Sequence, residues 1–360
     1  MTYPTTSCYT IDSKAIKNNV NTLQNHLPPK TRIVAMVKAN AYGTDMVKMA
    51  KLLQDSGVDA FGVAQVHEAI ALREAGIQSE ILLFYPTPND ANAIVKNQLT
   101  ACVSDLPLVE ALAKTGPTTI HLHIDTAMKR LGCPITQASS LVTTVANTPG
   151  LNLEGIFTHF AAAEDPLEDA FSLEQTNLLD KLIEKLNITP KWRHAANSAG
   201  TARFNLPQYN MVRVGLALYG AAASKEVATA LKLTPALSLT SKIIGIHHCQ
   251  KGETVGYGRT FTADENRRIA TIPLGYYDGI HRLYSNRGFV RICGEMAPIV
   301  GTISMDAMTI DVTHIQEAKP GETVTLFDSQ LSPEDFASTG QTIMHELMTC
   351  IGPRIPRAFV

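Results

Sequence analysis

The sequence predicts an α/β fold: a (β/α)8 TIM-like barrel followed by a C-terminal mainly-β domain. Three observations carry this. From about Arg32 to Gly220, short apolar runs alternate with helical patterns. The apolar runs are nearly continuous instead of alternating in and out, as strands of a helix-covered parallel sheet must be. After about Leu233 the helical spacing disappears until roughly the last thirty residues, and β-branched runs separated by Gly or Pro take its place.

In chain order, Cys8–Ile11 reads as a strand and Ser13–Leu27 as a helix capped by Asp12 or Ser13. That strand precedes the barrel and must pair outside it. The barrel strands are expected at Ile33–Val37, Ala60–Ala64, Ile81–Tyr85, Thr100–Ser104, Thr119–Ile124, Glu154–His159, Trp192–Ala195 and Met211–Leu218. Helical patterns lie between them at Asp45–Asp55, Val66–Ala75, Asn89–Asn97, Pro107–Lys114, Thr136–Ala146 and Leu173–Leu186. Eight strands is the number that closes a barrel, and an open doubly wound sheet is the competitor. Ala222–Lys232 reads as the junction. Beyond it, Ser241–His247, Arg268–Ile272, Phe289–Ile292, Pro298–Ile303, Met308–Val312 and Glu322–Phe327 read as strands, with a turn at Lys319-Pro320-Gly321-Glu322.

Composition narrows the function classes. Charged residues are 18% and hydrophobic ones 45% of the 360, so the chain can build a core and is not a disordered one. Lys+Arg 31 against Asp+Glu 33 argues against nucleic acid or an anionic membrane as the main partner. The six cysteines are scattered without a C-x-x-C, which points to neither a disulfide framework nor a metal site and suits a reducing cytoplasm. No basic segment leads into an apolar run at the N-terminus, and no stretch reaches the ~18 apolar residues of a membrane helix.

Unusual polar residues fall at strand ends. Lys38 follows the first barrel strand, Arg130 the fifth, His159 ends the sixth, Ser198 follows the seventh, and Arg213 lies inside the eighth. Barrel enzymes keep their chemistry at the C-terminal mouth, so these five should converge. Lys38 is either a snorkelling rim lysine or a Schiff-base amine whose proton is loosened by burial. Ser198 and its neighbouring amides open a helix, which favours an anion but equally fits a plain N-cap. Arg213 among apolar neighbours must be paired, and a structural ion pair is its ordinary explanation. Gly215 allows close backbone approach near the eighth strand.

The stretch Val37-Lys38-Ala39-Asn40-Ala41-Tyr42-Gly43 resembles the signature of pyridoxal-phosphate-dependent alanine racemases. So do Asp125-Thr126-Ala127-Met128-Lys129-Arg130-Leu131-Gly132, Phe157-Thr158-His159-Phe160, His194-Ala195-Ala196-Asn197-Ser198 and Val212-Arg213-Val214-Gly215. Val255-Gly256-Tyr257-Gly258 and Gly301-Thr302-Ile303-Ser304-Met305-Asp306 continue the resemblance through the β-rich part. It implies a barrel over 12–228, a β domain over 229–360, and an N-terminal strand, 1–11, joining that second domain. It also implies a head-to-tail homodimer whose active sites are shared between subunits.

By this resemblance Lys38 holds pyridoxal 5′-phosphate as a Schiff base and is one catalytic base, with Tyr257 of the other chain as the second. Tyr42, Ser198 and the backbone at Gly215 would hold the phosphate, and Arg213 the pyridine nitrogen. A hydrogen-bonded line would run from Tyr257 through His159 and Arg213 to His194. Arg130 and the Met305 amide would orient the substrate carboxylate. Without the resemblance, Tyr257 is a turn tyrosine between glycines and Met305 is core filler. The implied activity is interconversion of L- and D-alanine, supplying D-alanine for peptidoglycan.

Three positions depart from the pattern. Where many family members carry a lysine, sometimes carbamylated, this chain has His123, so no carbamate is expected and the brace of Arg130 changes. Thr44-Asp45 replaces a frequent His-Gly, and both residues are good helix caps. Cys350-Ile351-Gly352-Pro353-Arg354 stands where many members place a phosphate-side tyrosine. The alternatives are a broader amino-acid racemase accepting serine, a decarboxylase of similar architecture, and a non-enzymatic cofactor carrier. Arg213 argues against the decarboxylase, which uses an acidic partner at the ring nitrogen, and the Tyr257 region argues against the carrier.

Overall fold

The computed structural model describes residues 6–360; the first five residues of the segment 1–11 lie outside the described residues. The chain forms two compact units. One comprises Ile16–Ala41 with Asp45–Thr234, the other Pro235–Val360 with Tyr42–Thr44 and the chain up to Ala15.

The first unit is a closed parallel barrel with flanking helices. Its strands are Arg32–Met36, Ala60–Val63, Glu80–Leu83, Thr100–Val103, Thr118–Asp125, Leu151–Phe157, Trp192–His194 and Met211–Val214. Each pairs in parallel with the next in sequence, and Met211–Val214 pairs with Arg32–Met36 to close the ring. Closure excludes the open sheet. The apolar runs are continuous because both faces are covered: helices lie outside, and side chains fill the interior.

The eighth strand is shorter than the apolar pattern predicts. It stops at Val214, and Leu216–Tyr219 forms a 3-10 turn. The amides of Gly215 and Ala217 donate to Ser198 Oγ at 3.1 and 3.3 Å, so they are no longer available to a strand ladder. The expected helix Asn89–Asn97 divides into a 3-10 turn, Pro88–Asp90, and a helix, Ala91–Lys96. Between the two candidate caps of the first helix, Ser13–His26, the structure selects Asp12, whose Oδ1 accepts from the Ala15 amide at 2.9 Å.

The second unit is mainly β. Its six-stranded sheet runs in the order Glu295–Pro298, Phe289–Ile292, Thr323–Phe327, Leu237–Lys242, Cys8–Ile11, Arg357–Phe359. A three-stranded sheet is built from Gly245–Cys249, Arg267–Ile272 and Met308–Asp311. The expected strand Ser241–His247 is therefore a junction between two sheets. Ile243 N–H bonds Glu322 O, the next amide, Ile244 N–H, bonds Thr271 O, and the chain changes partners there. The expected strand Pro298–Ile303 contributes only its first residue to a strand, plus a bridge from Ile299 to Ile310. Helices Pro333–Thr339 and Met344–Cys350 follow. Among the described residues no helix is long and apolar enough to cross a membrane.

Candidate active site

The first barrel strand leads into an unusual turn. Lys38 opens a helical segment, Lys38–Gly43, in which Ala39, Asn40 and Ala41 have φ 52° and Tyr42 has φ 57°. This is a left-handed turn, and each non-glycine residue in it costs about 1–2 kcal/mol. The surroundings hold it there. Glu68 is buried, and its carboxylate accepts from the amides of Ala39 (2.6 Å), Ala64 (2.8 Å) and Gln65 (3.0 Å). Asn40 Oδ1 accepts from Met46 N–H at 2.9 Å, and the Tyr219 hydroxyl donates to Ala41 O at 2.7 Å. Glu68 was not among the residues singled out from sequence. Its position three residues past Gln65, at a helix start, is the signal that finds it.

Lys38 is half-buried at this turn. Burial pushes its pKa below the ordinary lysine value, the Arg130 and Arg213 charges push the same way, and Glu68 opposes them.

Arg213 is buried in the barrel, and its partners are all neutral. Nη1 donates to His194 Nδ1 at 2.7 Å. Nη2 reaches His159 Nδ1 at 2.7 Å, Thr158 O at 2.9 Å and Ala195 O at 3.0 Å. The guanidinium also lies over the Phe157 ring, 5.1 Å from its centre. The structural ion pair is therefore absent: no carboxylate touches Arg213 among the described residues. Desolvation lowers its pKa to about 10, which still leaves it charged at neutral pH. Burial and then the Arg213 charge hold His159 and His194 well below the usual histidine value, so both accept as neutral rings.

His123 is drawn into a ring stack. It lies 4.4 Å from Phe157, which lies 4.5 Å from His194, all nearly parallel. Burial lowers its pKa to about 3. Arg130 is exposed and makes no hydrogen bond or ion pair among the described residues, while neighbouring Lys129 pairs with Asp125.

Ser198 is the first residue of the helix Ser198–Arg203, and the N-cap is Asn197, whose Oδ1 accepts from Gly200 N–H at 2.9 Å. The plain N-cap explanation of Ser198 thus fails, because its hydroxyl gathers the Gly215 and Ala217 amides instead. The barrel unit thus joins Arg213, His159, His194 and His123 through bonds and stacking, pairs Ser198 with Gly215 two residues beyond Arg213, and places Lys38 and Arg130 near enough for their charges to act on that cluster.

Tyr42, Tyr257 and Met305 belong to the β-rich unit. Tyr42 is buried, its ring 6.0 Å from His345, and burial raises its pKa to about 12. Tyr257 stands on a 3-10 turn between two glycines and is 75% exposed. Met305 is 51% exposed, so it is not core filler. Its carbonyl accepts from Tyr277 N–H at 3.1 Å.

A half-buried lysine after a strand of a parallel barrel is an arrangement shared by a class of enzymes, those that handle a carbonyl compound through a lysine. The comparisons are more specific. The alanine racemase N-terminal domain family matches residues 11–223, and the C-terminal domain family matches residues 236–359. An alanine racemase of Listeria monocytogenes serotype 4b is 36% identical over 97% of this chain and 96% of its own. Alanine racemase 1 of Caldanaerobacter subterraneus is 35% identical over 96% and 92%.

Among solved structures, the alanine racemase of D-cycloserine-producing Streptomyces lavendulae superposes with TM-score 0.93 at 30% identity, covering 100% and 98% of the two chains. That of Bacillus anthracis, with bound L-Ala-P, gives 0.92 at 33% identity, covering 100% and 96%. The chain belongs to the alanine racemase family, and it is an isomerase, dependent on pyridoxal phosphate by family.

Proposed function

We propose that this protein interconverts L-alanine and D-alanine, with Lys38 and Tyr257 as proton carriers on opposite faces of the substrate Cα, and that it supplies D-alanine for peptidoglycan in the cytoplasm. The observation that carries the proposal is the Lys38 amine, desolvated and flanked by cationic charge at the barrel mouth. The relatives named above are alanine racemases, which does not favour the broader serine-accepting reading.

The donor set fits pyridoxal 5′-phosphate. Lys38 Nζ has its proton loosened and suits attack on an aldehyde. Ser198 Oγ and the Gly215 and Ala217 amides are donors gathered on one another through long bonds, and an anionic phosphate oxygen is a stronger acceptor than a hydroxyl. Tyr42 would add its hydroxyl to them. When bound, the group supplies an electron sink that makes the substrate Cα–H acidic. Arg213 would meet the ring nitrogen. It offers donors only and keeps its own proton, so it would leave that nitrogen unprotonated and would moderate the sink.

The remaining roles belong to side chains of this protein. Lys38 Nζ takes or returns a proton at one face of Cα. The Tyr257 hydroxyl does so at the other, in a head-to-tail homodimer where Tyr257 and Met305 come from a second copy. Tyr257 is exposed, and its hydroxyl has no hydrogen bond to its own chain among the described residues, which leaves it available. A phenol holds its proton near neutrality and needs help to exchange it. His159, whose Nε2 has no partner among the described residues, would provide that help, backed by Arg213 and His194. Arg130 and the Met305 amide would hold the substrate carboxylate, with His123 stacked behind the site. In this reading the barrel, 12–228, carries the cofactor, and 229–360 with strand 1–11 carries the second proton donor.

The test is racemisation of L-alanine followed by circular dichroism. Lys38→Ala is expected to lose at least about 10²–10⁴-fold in rate, the scale of a positioned acid–base group. Wild-type rate in Lys38→Ala overturns the proposal. Mixing Lys38→Ala and Tyr257→Phe chains tests the shared site. Statistical heterodimers restore one intact site, so about one quarter of the wild-type activity should return.

A further inference from the structure

Arg213 carries a buried charge with no carboxylate beside it, and hydrogen-bond roles show where its compensation lies. A guanidinium only donates, so His194 Nδ1 must accept from it at 2.7 Å. Neutral His194 then carries its proton on Nε2, which lies 2.9 Å from His121 Nδ1. His121 Nδ1 accepts in turn, and its own proton sits on Nε2. His121 is fully buried on the fifth barrel strand, and this Nε2 has no partner among the described residues. One nitrogen of His121 and a carboxylate oxygen each from Glu80 and Glu154 lie within 4.8 Å of one another, and the Glu154 charge acts on the ring. That is a separation one bridging water spans. Every N–H in the line points the same way, away from the cation.

The barrel makes room for this ring. A Cβ at Gly155 would stand 2.6 Å from both Cγ and Nδ1 of His121, so the sixth strand passes the imidazole only because glycine is there.

We propose that His121, with Glu80 and Glu154, is a positioning assembly for Arg213: it accepts the His194 Nε2–H, holds that imidazole in place and thereby fixes the guanidinium at the mouth. The proposal rests on the role given to Arg213 above. The same three side chains have the composition of a divalent-cation site, but the donor order excludes it. A metal on His121 Nε2 would force the proton to Nδ1, and His194 would then turn an N–H toward the Arg213 N–H. Glu80 is also bridged to Arg32, and Glu154 to Lys191, cations that a metal would have to displace.

The experiment uses the holoenzyme with ¹⁵N-labelled histidine. Wild type should show His194 and His121 as single Nε2–H tautomers. His121→Phe removes the acceptor and should move the His194 Nε2–H signal to that of a proton without a hydrogen bond, with kcat down about 10- to 100-fold and KM little changed. His121→Asn, whose Oδ1 accepts, should restore the hydrogen-bonded signal and most of kcat. Gly155→Ala, which pushes the ring without removing it, should reproduce the His121→Phe signal change and covers the case in which the phenylalanine fails to fold. A His194 Nε2–H signal unmoved in these variants overturns the proposal. So does stoichiometric Co²⁺ or Zn²⁺ binding by wild type that is lost in Glu80→Gln. If wild type racemises alanine while the His194 signal stays unmoved, this proposal alone falls. If it racemises nothing, the proposed function falls, and the His194 signal still decides the positioning role.

Discussion

At the residue scale, Glu68 is the side chain whose weight is hardest to see in the chain. It resembles any helix-start acid, yet three backbone amides converge on its carboxylate, one of them the amide directly after Lys38. Glutamine cannot replace it, because one of its terminal atoms is an NH2 that would face those N–H donors. Glu68→Gln should cost about 1–3 kcal/mol in urea unfolding. It should also lower the Lys38 pKa further, since the Glu68 charge now raises it. The pH dependence of Lys38 modification by a small acylating reagent checks this, and an unmoved titration would show that the carboxylate does not act on the amine.

At the element scale, the left-handed turn Lys38–Gly43 inverts ordinary substitution rules. In a right-handed helix, Ala→Gly costs roughly 0.5–1 kcal/mol. Ala39 is exposed with φ 52°, so Ala39→Gly should be neutral or stabilising, and Ala39→Val should destabilise by more than about 1 kcal/mol. Denaturant midpoints of the two variants decide it. Gly43 closes the same turn with φ 81°, and a Cβ there would lie 2.3 Å from Met348 O. The turn was not legible in advance, because Lys-Ala-Asn-Ala-Tyr suits a right-handed helix by propensity and only bonds from distant residues select the other hand. The end of the eighth strand was hidden for the same reason. Val-Gly-Leu-Ala-Leu continues an apolar run, and what stops it is a hydroxyl seventeen residues earlier in the chain.

At the scale of the whole molecule, the barrel is organised around buried neutral imidazoles. His121 and His123 are pushed to about 3 by burial, and His159 and His194 well below the usual value. The unfolded chain takes up protons on these rings near the ordinary histidine value of ~6.5, whereas the folded one does not. Below pH ~6.5 the unfolded state therefore binds more protons, and stability rises with pH in that range. Their contribution is complete above that value and is lost as pH falls toward 3. Calorimetry between pH 7 and 4 should show Tm falling steadily, with His123→Phe reducing the slope by up to one proton. A Tm independent of pH across this interval would show that the rings titrate normally in the fold.

The fold class was legible from the period of the apolar runs, and the family from short local motifs such as Val37–Gly43 and Asp125–Gly132. A helix-covered parallel sheet follows from patterns that every segment carries in its own residues, because burial on both faces demands continuous apolar runs, whereas closure of the ring was decided by the pairing of Met211–Val214 with Arg32–Met36. The residues by themselves did not show the partners of Arg213; the family resemblance named His159 and His194, and His121 was not singled out. An ion pair was the ordinary expectation for a cation in an apolar strand, and the closed barrel brings His121 and His194 from two other strands, and His159 from just beyond a third, into one line with it. The handedness of the turn after Lys38 and the second duty of Ser198 were likewise decided in three dimensions. Periodicity is a local property, whereas hydrogen-bond direction and desolvation belong to whatever long-range neighbours the fold assembles.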